Sequence, residues 1–218
     1  MFNRKLFSAS LLIFIASCST LDSSKIAPGY KEAFDSMRVI FFGDNSPALK
    51  YEDINKIPYA SMLLKIGKGP EGLLILESEN KGESTWVSAD NVRFLIQNGR
   101  ITQTSGLNNN LTDLMLPYSI EGITKETQNF IFYYSYDFPL LSALKVNISR
   151  KYLGKVRVNL SSGERELHYV EEVIHNEEIG WKANNKYWLD ENNFVWKSEQ
   201  EISPKLPNIK YEVTKKPS

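Results

Sequence analysis

Residues 92–104 read VRFLIQNGRITQT and contain two strand-like runs separated by Asn98 and Gly99. In the first run Phe94 and Ile96 alternate with residues of the opposite face, which is the period of a β-strand. Asn-Gly between two such runs is a strong hairpin signal, because both turn residues tolerate a positive φ. The stretch therefore predicts two antiparallel strands joined by a tight turn.

The same period of two continues on both sides of this hairpin. We interpret Ser161-Ser162-Gly163, Asn184-Asn185 and Asn192-Asn193 as turns, and residues 107–115 as a loop or one helical turn. Roughly ten short strands at near-regular spacing predict an all-β, mainly antiparallel fold, either a meander-type barrel or a sandwich. The predicted strands outside the hairpin are 62–66, 73–77, 85–88, 129–137, 144–148, 155–160, 166–174, 186–189, 194–198 and 209–213.

One helix is predicted ahead of the strands. Pro28 is suited to a first helical turn, and Gly43 can end the helix. Between them, apolar residues recur at helical spacing: Tyr30, Ala33, Phe34, Met37 and Phe41. We therefore predict a single antiparallel β domain over residues 28–218, with this helix at its amino-terminal side. Residues 1–17 would precede it as a signal peptide, and residues 18–27 as a polar tether.

The first eighteen residues have the layout of an export signal. Arg4 and Lys5 form a basic head, residues 6–14 are mostly apolar, and small residues lead to Cys18. The apolar run is too short to cross ~30 Å of hydrocarbon, which indicates a secretory signal and not a membrane-spanning helix.

Cys18 is the only cysteine of the chain, and it stands where the signal ends. This arrangement resembles the lipobox of bacterial lipoproteins, in which the thiol receives a diacylglycerol, the signal is removed and the new amino terminus is acylated. The resemblance implies lipidation at Cys18 and a membrane anchor. Ser19 stands where an aspartate tends to retain such proteins in the inner membrane, which implies the outer membrane instead. The alternative is an ordinary signal peptide with a chance cysteine.

Composition argues against several classes of partner. Lysine and arginine number 26, as do aspartate and glutamate, so no overall field favours nucleic acid. A single cysteine excludes a disulfide within the chain. Gly67, Gly69 and Gly72 match a dinucleotide-binding spacing, but they lie between two predicted strands. We interpret them as a turn and predict no cofactor.

Histidines and glutamates are the candidates for chemistry. His168 and His175 lie an odd number of positions apart, so on a strand they would point to opposite faces and do not predict a shared metal site. A Ser-His-Asp arrangement remains open, because such triads are recognised by geometry. Six glutamates could supply a glycosidase-type pair, although we expect a solvated strand face: Glu164, Glu166, Glu171, Glu172, Glu177 and Glu178.

Aromatic residues are abundant in the second half of the chain. Some could form a platform on which sugar rings stack, but aromatics also fill antiparallel cores, and we expect most of these to be core residues. They are Tyr133, Tyr134, Tyr136, Trp181, Tyr187, Trp188 and Trp196.

Two blocks of sequence, taken with the lipobox, resemble the YjbF/GfcB family of group 4 capsule polysaccharide lipoproteins. The first block contains Pro58-Tyr59-Ala60-Ser61, Trp86-Val87-Ser88-Ala89-Asp90 and Asn98-Gly99-Arg100-Ile101. The second contains Gly180-Trp181, Asn185-x-Tyr187-Trp188-x-Asp190 and Val195-Trp196-x-Ser198-x-Gln200. The family supplies no catalytic residue to carry over. Turn geometry explains Ser88, Asp90 and Arg100 as readily as ligand contact does.

The resemblance implies a lipoprotein of the outer membrane, facing the periplasm, that assists production or export of an extracellular or capsular polysaccharide. We expect no enzymatic activity and no metal. The expected partners are the membrane, through acylated Cys18, and a polysaccharide or an outer-membrane β-barrel export protein. A periplasmic hydrolase or lyase and a polysaccharide-binding module are the alternatives.

Overall fold

The computed structural model describes residues 51–117 and 122–217. Its one short helix is α1 (Tyr51–Asn55). The signal peptide, Cys18 and the predicted helix after Pro28 lie outside the described residues. Twelve strands follow α1: β1 (Ser61–Ile66), β2 (Glu71–Asn80), β3 (Glu83–Ser88), β4 (Arg93–Gln97), β5 (Arg100–Ser105), β6 (Leu111–Met115), β7 (Gln128–Tyr136), β8 (Leu141–Leu160), β9 (Gly163–Asn176), β10 (Trp181–Leu189), β11 (Val195–Gln200) and β12 (Ile209–Lys215).

All twelve strands form one antiparallel sheet in the order β5-β4-β3-β2-β1-β12-β11-β10-β9-β8-β7-β6. Each strand pairs with its neighbour in sequence except β5 and β6, and β1 pairs with β12. The sheet curls into a nearly closed barrel. This confirms the predicted all-β meander and decides between the barrel and the sandwich.

Three predicted features are wrong. Residues 107–115 are not only a loop, because β6 (Leu111–Met115) pairs there with β7. Asn184-Asn185 is not a turn but the middle of β10, where the Asn185 carboxamide accepts a hydrogen bond from Glu201 N at 2.7 Å. Residues 144–148 and 155–160 belong to one 20-residue strand, β8, whose irregularity falls between Tyr152 and Lys155.

The barrel has two distinct ends. At the entry end, β1 begins at Ser61, which pairs with Lys215 of β12. At the opposite or far end lie the connections 67–70, 89–92, 106–110, 137–140, 177–180 and 201–208. Outside the barrel near the entry end, Ile54 of α1 is 2% exposed and packs on the outer side of β1 and β2.

Large side chains fill the interior. A twelve-stranded barrel encloses more space than an eight-stranded one, in which ordinary side chains suffice. Aromatic and long aliphatic residues from all parts of the sheet meet in one buried cluster that includes Met62, Leu74, Trp86, Phe94, Phe132, Tyr134, Ile174, Trp181, Tyr187 and Tyr211.

β5 stands at one end of the sheet and has a backbone ladder on one side only, with β4. Side chains that cross the interior bond to the other side of it. Ile101 N of β5 donates to Gln200 Oε1 at 3.1 Å, and Gln200 Nε2 donates to Gly99 O at 3.0 Å. At the junction of β5 and β6, Leu111 N donates to Thr104 Oγ1 at 3.0 Å. These bonds satisfy backbone groups that a ladder would otherwise pair.

Three buried charges meet in the same interior. Glu172 Oε1 accepts from Arg100 Nη2 at 2.6 Å and from Arg150 Nε at 2.8 Å. All three residues are at most 2% exposed, and Tyr187 Oη lies 3.3 Å from Glu172 Oε2. We call Arg100, Arg150 and Glu172 the interior triad; it links β5 to β8 and β9.

Two phenylalanines offset the extra positive charge of the interior triad. The Arg100 guanidinium lies 4.8 Å from the Phe132 ring centroid, and that of Arg150 lies 4.8 Å from the centroid of Phe130. An aromatic face attracts a cation, and the attraction is stronger where water is absent. Burial alone would raise the pKa of Glu172, but the two arginines outweigh it and hold that pKa below its ordinary value.

Replacing the shared carboxylate should destabilise the barrel. Glu172→Gln leaves two buried guanidinium groups without a counter-charge, and breaking a buried ion pair costs ~3–5 kcal/mol of unfolding free energy. Urea unfolding at pH 7 measures the loss. Glu166→Gln on the same strand is the control, because Glu166 is exposed; equal stability losses in the two variants would contradict this assignment.

The same carboxylate predicts a pH dependence. Since the folded-state pKa of Glu172 is lowered, its contribution is complete above the unfolded pKa of ~4.3 and disappears as the pH falls through the folded value. The difference in unfolding free energy between wild type and Glu172→Gln should therefore shrink as the pH falls below about 5. Urea titrations at successive pH values measure it, and a difference that stays constant to the acid limit would refute the prediction.

Candidate functional site

The structure gives turn and core roles to the residues singled out with the family pattern. Ser88 Oγ hydrogen-bonds Asp90 and accepts from Val92 N at 3.1 Å, so both residues shape the β3–β4 turn. Arg100 belongs to the interior triad. Cys18, the predicted lipidation site, lies outside the described residues.

The two histidines occupy opposite faces of β9. His168 is 6% exposed, whereas His175 is half-buried on the other face. Tyr152 Oη lies 2.8 Å from His168 Nδ1, and Glu191 Oε2 lies 2.9 Å from His168 Nε2. A hydroxyl, an imidazole and a carboxylate thus form a hydrogen-bonded chain, which is the order that nucleophilic catalysis uses.

Lysines occupy the carboxylate end of that chain. Lys155 Nζ lies 2.6 Å from Glu191 Oε1, and Lys125 Nζ lies 3.7 Å from Glu191 Oε2. The Lys155 and His168 hydrogen bonds lower the pKa of Glu191 to about 2. Glu191 therefore fastens the β8–β9 hairpin to the β10–β11 turn as an ion-paired anion, and neither pocket described below is lined by this chain of residues.

The six glutamates of β9 and the following turn do not form a catalytic pair. Glu172 alone among them is fully buried, and its neighbours are arginines. The expectation of a solvated strand face is wrong for Glu172, because β9 turns alternate residues into the barrel. Within the described ranges no three His, Cys, Asp or Glu residues are grouped as a metal site.

Most of the candidate aromatics are core residues, as expected. Five are at most 8% exposed: Tyr134, Tyr136, Trp181, Tyr187 and Trp196. Burial raises the pKa of the Tyr134 hydroxyl to about 12. The two exceptions, Tyr133 and Trp188, face outward.

Trp188 forms part of an aromatic platform on the outer face. Its ring stacks on that of Tyr169 with centroids 5.2 Å apart and planes inclined by 19°. Lys197 Nζ lies 5.7 Å from the Trp188 centroid. Beside the platform, charges alternate in register from strand to strand: Lys151, Glu171, Lys186, Glu199 and Lys210.

A half-open pocket of about 470 Å³ lies at the far end of the barrel. Its volume is within the ~300–1,000 Å³ range of small-molecule sites. Apolar side chains of three strands and two connections line it: Leu64, Ile66, Leu74, Phe94, Val92 and Leu107. Glu71, Ser88 and Asp90 add the polar groups. We call this the far-end pocket. Sequence reasoning missed it, because its walls come from strands that look like ordinary core.

A second pocket of about 250 Å³ lies toward the entry end. Trp86 and Tyr211 contribute aromatic walls, and Asn192 and Lys216 contribute polar groups. Trp86 and Tyr211 are both nearly fully buried. Chemically, the described residues thus offer an apolar pocket at one end of the barrel, a mixed pocket toward the other end and an aromatic platform on the outer face of β9 and β10.

A family model described as "Group 4 capsule polysaccharide lipoprotein gfcB, YjbF" matches residues 34–213. The chain belongs to this family. The sequence resemblance is therefore confirmed, and the match extends through residues 116–178, where no motif had been recognised. The family is one of lipoproteins associated with capsule polysaccharide.

Relatives of known sequence or structure agree with the family. The chain is 25% identical over 178 residues to the "Uncharacterized lipoprotein YjbF" of Escherichia coli K12, covering 78% of this chain and 82% of that protein. It is 27% identical over 111 residues to the "Uncharacterized lipoprotein GfcB" of the same strain, covering 51% and 48%. The crystal structure of the hypothetical lipoprotein YmcC from E. coli K12 shares the fold, with a TM-score of 0.69 at 18% identity over 85% of this chain and 96% of that one.

No helix within the described ranges is long and apolar enough to span a bilayer.

Proposed function

We propose that this protein is a non-enzymatic accessory factor in the production or export of an extracellular or capsular polysaccharide. It acts as a lipoprotein anchored in the outer membrane through acylated Cys18 and faces the periplasm. The observation that carries the proposal is the family match over residues 34–213, together with the lipobox-like ending of the signal at Cys18.

Tethering is the proposed mechanism. Each buried acyl CH₂ adds ~0.8 kcal/mol of membrane affinity, so several chains hold the domain firmly. The segment between Cys18 and Tyr51 then confines the barrel to a thin layer of periplasm. Confinement raises its effective concentration near a partner in the same membrane, for which we propose a β-barrel export protein.

The described residues support a role without catalysis. Glu172 is neutralised by two arginines, and Glu191 is held by lysines, so neither carboxylate is set up as a general acid with a raised pKa. Ser88 and Asp90 build a turn. The barrel offers surfaces and pockets for binding, and these suit an accessory factor.

Deleting the gene should reduce polymer at the cell surface under inducing conditions, and the wild-type gene should restore it. A gene carrying Cys18→Ala should not, because the unacylated chain loses its anchor and leaves the envelope fraction. Surface-polysaccharide staining and immunoblots of cell fractions are the measurements.

Ser19→Asp is the matched control for location. It keeps the cysteine but should move the protein to the inner-membrane fraction. Unchanged surface polymer in the deletion strain would refute the accessory role, whereas an unacylated chain that still complements would refute the anchor.

A polysaccharide-binding module is the second candidate, favoured by the Tyr169–Trp188 platform. An aromatic face can stack on the apolar side of a sugar ring, and the neighbouring charged row can hydrogen-bond its hydroxyls.

Trp188→Ala should weaken binding of the purified polymer roughly two- to tenfold, as expected for the loss of an aromatic contact of ~0.5–1.5 kcal/mol. Tryptophan fluorescence follows the titration of wild type, and calorimetry compares the variants. Tyr133→Ala, which removes an aromatic side chain 36% exposed on β7, should bind like wild type. No fluorescence response of wild type at high polymer concentration would rule out this second role.

A further inference from the structure

Two neighbouring turns at the far end expose large apolar side chains. In the β7–β8 turn, Phe138 is 73% and Leu140 is 82% exposed. In the β9–β10 turn, Ile179 is 49% exposed. Both turns leave the sheet at the same end, one hairpin apart, because β7, β8, β9 and β10 pair in sequence. Apolar residues gathered at one end of a domain mark an interaction site.

Hydrogen bonds hold the β7–β8 turn against a wall of the far-end pocket. Asn110 N and Asn110 Nδ2 donate to the two carboxylate oxygens of Asp137, each at 2.7 Å. Asn109 Nδ2 donates to Phe138 O. Leu107, from the same loop as Asn109 and Asn110, lines the pocket. The β7–β8 turn, with Phe138 and Leu140, is therefore fixed to the wall of the apolar pocket. We call this unit, together with Ile179 of the neighbouring turn, the apolar end.

In the connections at this end, acidic residues outnumber basic ones. They are Asp90, Asp137, Glu177, Glu178 and Glu201, against Lys68 and Lys205, while Glu71 at the start of β2 is matched by Arg93 at the start of β4. A free fatty acid or an anionic headgroup would be repelled there. An ammonium group would be attracted.

We propose that the apolar end binds a zwitterionic membrane phospholipid. Phe138 and Leu140 enter the bilayer surface, and the far-end pocket takes up one acyl chain of a lipid whose headgroup carries an ammonium, such as phosphatidylethanolamine. Apolar side chains at a membrane surface bury themselves in the region between headgroups and chains. Membership of a lipoprotein family puts a bilayer within reach of the domain.

Lipid binding by the barrel goes beyond the accessory role and does not depend on it, since no polysaccharide is involved. It also differs from the anchor, because it concerns the folded domain and not Cys18. A failed lipid experiment would therefore leave the capsule phenotype untouched, and the reverse also holds.

Insertion is tested with the full chain purified from bacterial membranes. Leu140→Cys is labelled with an environment-sensitive fluorophore, and vesicles of phosphatidylethanolamine and phosphatidylcholine with brominated acyl chains are added. We expect a blue shift and quenching by the bromines. Vesicles in which phosphatidylglycerol replaces part of the zwitterionic lipid should give a weaker signal.

Leu153→Cys is the matched control for insertion. Leu153 is a leucine of β8 that is 50% exposed and lies far along the strand from the turn. The fluorophore at position 153 should remain in water. Wild type exposed to the same fluorophore should take up none, because its only cysteine, Cys18, is acylated in the proposal. A label at position 140 that is never quenched, or quenching equal at positions 140 and 153, would overturn the proposal.

Pocket occupancy is tested by native mass spectrometry of the full chain in mild detergent. Wild type should retain one non-covalent phospholipid. Gly72→Leu places a side chain on the pocket wall, where an added Cβ meets only Leu64 O at 3.9 Å, so the backbone is not strained. Occupancy should fall about tenfold in this variant, because the acyl chain loses its space.

Ser78→Leu adds the same side chain to an exposed position of the same strand, and it should keep the lipid. Wild type without retained lipid, or equal retention by the Gly72→Leu and Ser78→Leu variants, would overturn the assignment of the pocket. Preferential retention of phosphatidylglycerol would overturn the assignment of the headgroup.

Discussion

Two arginines share one carboxylate inside the barrel, and the position of β5 depends on this contact. Arg100 belongs to β5, an end strand of the sheet, whereas Arg150 and Glu172 are partners in register on β8 and β9. Their hydrogen bonds therefore connect β5, at one end of the sheet, to β8 and β9 near the other end. Buried charges need partners at hydrogen-bonding distance, so this contact restricts β5 to one position. A purely apolar contact would restrict it less.

The surroundings of the triad explain how an excess cation is tolerated without water. Phe130 and Phe132, two residues apart on β7, each present a ring to one guanidinium, and the two rings lie nearly parallel. Their shared strand fixes this spacing, so the sheet itself matches the two arginines to the two rings. Aromatic residues here do more than fill volume, since their faces supply the negative potential that a second carboxylate would otherwise provide.

Local signals in the sequence predicted the elements, and distant contacts decided what the sequence missed. The Asn98-Gly99 hairpin and the turn at Ser161–Gly163 were predicted because their chemistry is contained in a few residues. Asn185 was misread as a turn residue because its partner, Glu201 N, lies on another segment. Glu172 looked solvated for the same reason, since both arginines approach from other strands. The far-end pocket could not be predicted, because its volume depends on how three strands and two connections meet in space.

The barrel closes in a different way at two places: between β12 and β1, and between β5 and β6. No connecting segment runs directly from β12 to β1, yet backbone hydrogen bonds pair these two strands. The ladder is interrupted between β5 and β6, yet there the chain itself runs continuously through residues 106–110. Five strands separate these two places on one side of the barrel and seven on the other. Opening of the sheet at either place therefore leaves the closure at the other in position. The barrel can therefore open locally without the whole sheet coming apart.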